Sequence, residues 1–108
     1  MIKEYDEVKL FIDRYVSCRF LSAAVVVDEI YTDEYNALDV RIIGDVDVTT
    51  SFYNDLIQSV MKNFGQLVED SEILRESYSK QVSVIVYLKS TMDIRLEKIQ
   101  KIKSKILI

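Results

Sequence analysis

The sequence predicts an α+β fold. The expected form is a two-layer sandwich in which an antiparallel sheet of three or four strands carries its helices on one face, in the order α-β-β-α-(β)-β-α. Three observations predict it. Apolar residues recur at three- and four-residue steps near both ends of the chain and around residue 56, the period of a helix. They recur at every second position over 38–48 and 82–88, the period of a strand with one solvated face. The 108 residues are 49% apolar and contain no linker, repeat or low-complexity tract, which fits one domain, 1–108, around one modest core.

The first helix is expected over residues 2–16, where Tyr5, Val8, Phe11/Ile12 and Tyr15 form a stripe between charged residues. Ala23–Val27 is a short β-branched run, the pattern of a strand covered on both faces. A polar turn follows at 32–36. Leu38, Val40, Ile42, Val46 and Val48 then alternate with Asp39, Arg41, Ile43, Asp45 and Asp47, and Gly44 marks a bulge or bend. Residues 21–48 therefore read as a β-hairpin with an acidic, aromatic tip.

Thr49, Thr50 and Ser51 offer helix-capping hydroxyls, and Asp55 is expected in the first turn of the helix they open. Phe52, Leu56, Val60, Met61 and Phe64 would form its buried stripe, with Gly65 as its stop. Residues 66–80 suit either a continued helix or a short edge strand. Val82, Val84, Val86 and Leu88 make a second alternating strand. A last helix is expected from Ser90 or Thr91, with Met92, Leu96, Ile99, Ile102 and Ile106 on one side and Lys98, Lys101 and Lys105 on the other. No motif identifies a family. The order of elements alone is similar to that of small acidic secretion chaperones and of some KH-type modules, although the glycine loop of the latter is missing.

Composition closes off much chemistry. The chain has no histidine, one cysteine and two glycines. A Cys/His zinc site and a glycine-rich phosphate loop cannot be assembled from these, and the commonest general base is missing. No cofactor and no metal is expected. Cys18 has no partner for an internal disulfide, so a reducing compartment, the cytoplasm, is the expected setting. Cys18 itself is expected to be buried and structural. The N-terminus is charged where a signal peptide needs an apolar segment, and the longest apolar run is far short of a membrane span. The abundance of isoleucine, lysine, tyrosine and aspartate points to an AT-rich coding sequence, such as that of a virus or mobile element.

Charge is segregated along the chain. Residues 28–47 carry seven carboxylates against Arg41, a net −6, whereas residues 89–108 carry a net +4, within a total of −4. Such a distribution steers encounters and rejects wrong partners. The expected function is therefore that of a non-enzymatic acidic module, an inhibitor, accessory or chaperone-like protein, that docks a basic protein surface through the hairpin. The partner-binding candidates are Asp28, Glu29, Tyr31, Asp33, Glu34, Tyr35, Asp39, Asp45 and Asp47. The carboxylates would meet cations and the tyrosines would supply rigid apolar area.

Two other classes compete. Asp45 and Asp47, two residues apart on one strand face, could hold Mg²⁺ for phosphoryl transfer. A phosphoryl-transfer site of that type also needs a third carboxylate on a neighbouring strand, and 82–88 carries none. The basic helix with Lys98, Lys101 and Lys105 could meet nucleic acid, although the acidic total opposes that approach. The apolar end of the chain is expected to bury itself in the core or in a homodimer interface built from Ile102, Ile106, Leu107 and Ile108.

Overall fold

The computed structural model describes residues 3–75 and 80–89. Their elements run α1 (Lys3–Arg19), β1 (Ala24–Tyr31), β2 (Asn36–Ile43), α2 (Thr50–Phe64), β3 (Val68–Arg75) and β4 (Gln81–Leu88). The four strands form one antiparallel sheet in the order β1-β2-β4-β3. Both helices pack on one face, giving the two-layer α+β sandwich that the periodicities predict. The expected last helix, its lysines and the candidate interface residues Ile102, Ile106, Leu107 and Ile108 lie outside the described residues.

The core is built from one face of each element. α1 buries Tyr5, Val8, Ile12 and Val16, three and four residues apart, and α2 buries Phe52, Leu56 and Val60. Below them lie Leu38, Val40 and Ile42 of β2 with Val84, Val86 and Leu88 of β4, the two central strands. The stripe on α1 differs in detail from expectation. Ile12 and Val16 are fully buried, while Phe11 and Tyr15 lie half-buried and join Phe64, Phe52 and Phe20 in a chain of ring contacts at the helix–helix seam. Met61, expected in the core, is exposed because it stands one position past the Val60 row of α2.

One boundary moves, one acid changes turn and one ambiguous stretch resolves. β2 ends at Ile43 rather than at Val48. Gly44 has φ +149°, a conformation that side chains rarely adopt, and its N–H turns to the carbonyl of Lys80. Val48 is buried all the same, carried into the core by the connector. α2 is capped by Thr49, whose hydroxyl accepts from the Phe52 N–H at 3.0 Å. With Thr50 as its first residue, Asp55 falls in the second turn and the first turn has no acid. The ambiguous stretch is a strand, β3, with an irregularity in register between Val68 and Asp70.

β1 corrects a further expectation. Its valines read as a doubly covered strand, but it lies at the end of the sheet, and only Val27 of the run is buried. A continuous apolar run marks burial on both faces only where a layer covers each face; here both helices lie on one face, and Val26, opposite Arg41, points to the other.

Candidate functional site

The distal end of the hairpin is a four-residue loop closed by one side chain. The Thr32 hydroxyl accepts from the Tyr35 N–H at 2.9 Å and the Glu34 N–H at 3.3 Å, and it faces the Tyr35 carbonyl at 2.9 Å. The Thr32 N–H donates to the same carbonyl, extending the β1–β2 ladder by one rung. This fixes the loop with Asp33 and Glu34 at its outer edge, both exposed.

The two tyrosines flank that loop in different ways. Tyr35 folds back over the outer face and meets Tyr87 of β4 edge-on, with ring centroids 5.4 Å apart and planes at 77°, and stays 41% exposed. Tyr31 lies at the helix side, 53% exposed, and donates its hydroxyl to Glu29 at 2.5 Å. Partial burial, the bond to Glu29 and the negative charge of Glu29 push the Tyr31 phenol up to about 12. Glu29 also faces Lys9 of α1 at 3.5 Å, so it is matched within the chain.

The remaining candidates separate. Asp28 and Asp39 stand directly opposite each other on the outer face, where Arg41 pairs with Asp28. Burial raises the Asp39 pKa above its ordinary value. Arg41 pulls it down, the Asp28 charge raises it, and Ser83 lowers it by hydrogen bonding. One oxygen of Asp39 and the Arg41 Nε are buried without a hydrogen-bond partner among the described residues. Asp45 and Asp47 lie in the connector at the opposite end of the hairpin, about 25 Å from the tip by the rise of eight strand residues. Asp45 meets Lys80 at 3.5 Å. They do not share a strand face, which removes the geometry on which a paired-carboxylate metal site rested. Among the described residues no group of three or more His, Cys, Asp or Glu is placed to hold a metal ion.

Other carboxylates take their place. β3 brings Glu69, Asp70 and Glu72, all exposed, to the tip side of the sheet. Glu69 joins Thr32, Asp33, Glu34, Tyr35, Asn36 and Leu88 around a small concavity of about 100 Å³. Asp70 stands opposite Tyr87, and Glu72 accepts from the Tyr87 hydroxyl at 2.6 Å. The alternation of Asp70 and Glu72 was the available signal, but it had meaning only once 68–75 was a strand.

Cys18 is exposed, not buried. It stands on the outer side of α1, on a shallow groove with Arg14, Arg19, Phe11, Tyr15 and Phe64, because the helix turns Val16 rather than its neighbours into the core. No helix among the described residues is long and apolar enough to cross a membrane. No protein-family model matches the chain, and no curated protein matches its sequence.

Proposed function

We propose that this protein is a non-enzymatic binding module that occupies a basic protein partner through the distal end of its hairpin. The observation that carries the reading is the flanking of Asp33 and Glu34 by two exposed tyrosines, on a loop held in one shape by Thr32. A preformed loop loses little conformational freedom on binding, and tyrosine contributes large contact area with few rotatable bonds. Glu69, Asp70 and Glu72 widen the negative surface beside it, while behind the tip Arg41 and Lys9 offset Asp28 and Glu29 and leave Asp39 to add to the field. Asp45 and Asp47, at the other end, leave the proposed contact.

The partner would offer lysine or arginine around an apolar cleft. An inhibitor, an accessory factor or a chaperone-like protein works in this way, and a cytoplasmic setting suits the free Cys18 thiol. The test is affinity for captured host proteins as a function of salt and of two variants, Tyr35→Ala and the pair D33N/E34Q. Binding that weakens with salt and with both variants supports the reading. Binding indifferent to all three overturns it.

A further inference from the structure

The outer edge of β1, unpaired among the described residues, is complementary to itself. In an antiparallel ladder, hydrogen-bonded and non-bonded pairs alternate. The bond from Thr32 N–H to Tyr35 C=O fixes the phase: Ile30, Asp28, Val26 and Ala24 bond to β2. The Gly44 N–H to Lys80 C=O bond on the other side of β2 requires the same phase. Val25, Val27, Glu29 and Tyr31 therefore turn their N–H and C=O groups outward, and none of the described residues takes them up.

The surface beside that edge is apolar. Val26 is 36% exposed, Leu10 of α1 is 48% exposed, and Leu21 in the turn leading into β1 is 89% exposed. Leu10, Val25, Val26 and Val27 line one groove between α1 and the strand, with Asp6, Lys9 and Asp13 along its rim. Long apolar edges are normally shortened, charged or covered.

We propose that a second copy of this chain pairs with this edge, strand β1 against strand β1 about a two-fold axis at Val26, making one eight-stranded sheet. The sequence of the strand selects that occupant and that register. With the axis at Val26, Val25 and Val27 of one copy form bonded pairs with Val27 and Val25 of the other, Val26 faces its own copy, and Asp28 faces Ala24. An axis at Asp28 would set two carboxylates face to face, and an axis at Val27 would oppose Val25 to Glu29 and Val26 to Asp28. Only the first register keeps valine on valine and every acid clear of every other. In this register strand pairing spans residues 24–28, Tyr31 falls opposite Leu21 of the other copy, and the loop 32–35 lies beyond the paired segment.

Sedimentation of the full chain, with three variants, tests this. Val25→Pro deletes an outward N–H from a residue that makes no bond to β2, and proline is tolerated at such edge positions. In a C18S background, V26C places two thiols across a non-bonded pair, where Cα atoms about 4.5 Å apart allow a disulfide. I30C, on the same strand face, is off the axis. The expected result is a dimeric wild type, loss of the dimer in V25P with an unchanged circular dichroism spectrum, and oxidative cross-linking of V26C but not I30C. A monomeric wild type, which would leave the edge to a foreign strand, overturns the proposal. So does a dimer that V25P leaves intact, or I30C cross-linking as readily as V26C. If V25P does not fold, the comparison of V26C with I30C decides alone.

Discussion

Tyr87 of β4 donates its hydroxyl to the Glu72 carboxylate of β3 across a diagonal of the ladder, on the face opposite the helices. The bond exists only for the neutral phenol, and a phenolate there would also stand beside a carboxylate. The hydrogen bond, then burial, then the Glu72 charge hold Tyr87 up at about 12. Glu72→Gln removes the charge and weakens the acceptor, so Tyr87 should titrate closer to the ordinary tyrosine value of about 10. Tyr31, raised to about 12 by burial and Glu29, should not move. Absorbance titration of phenolate checks both. The sign follows from linkage: a phenol that keeps its proton longer when folded stabilises the fold fully below about pH 10, and that contribution is lost as pH rises through about 12.

Asp39 has the same sign of linkage in a lower pH range. Its pKa is raised chiefly by burial, against the pull of Arg41. A carboxyl that binds its proton more tightly when folded makes stability fall as pH rises through the carboxylate range. Asp39→Asn removes that cost while keeping the shape. The variant should be more stable than wild type at pH 7, by less than about 1 kcal/mol because the site is partly solvated. The gap should close on acidification. Thermal unfolding from acid to neutral pH measures it, and a variant less stable at pH 7 would show that the Arg41 attraction outweighs burial.

Thr49 closes the N-terminus of α2 with a single bond to the Phe52 N–H. Phe52 is itself a core residue and touches Phe20 and Tyr15, so a frayed first turn would loosen the aromatic seam as well. Thr49→Ala should cost about 1 kcal/mol in chemical denaturation, and Thr49→Ser should recover most of it.

The alternation of Leu38, Val40 and Ile42 and of Val84 and Val86 made the two central strands legible, because each has one face under the helices and one face outward. Thr49 and Gly65 marked α2 by local chemistry alone. The edges of the sheet were harder to read. β1 has the composition of a central strand, and β3 has polar residues at most positions, so neither pattern reports its place. Part of the site was legible for the same reason: the loop 32–35 is a local feature. The carboxylates of β3 join it only through the pairing of β4 with both β2 and β3, which no local pattern encodes. Asp45 and Asp47 misled because an alternating pattern continued past the residue where the backbone turns away.

That residue is Gly44, and its substitution tests where the hairpin ends. Its φ of +149° belongs to a region essentially reserved for glycine. A Cβ built there would meet the Ala23 Cα at 3.3 Å, on the first turn of chain before β1. The Gly44 N–H also reaches the Lys80 carbonyl at 2.8 Å, tying the end of β2 to the start of β4. Alanine must therefore either accept strain or straighten the chain. Straightening would carry β2 onward, break the Lys80 bond and pull Val48 out of the core, where it is 1% exposed. Both routes destabilise, and Gly44→Ala should cost about 1–3 kcal/mol. Urea unfolding should show a lower midpoint with an unchanged slope, because strain at one residue leaves the surface exposed on unfolding the same. A neutral Gly44→Ala would mean that β2 runs on toward Val48, returning Asp45 and Asp47 to one strand face.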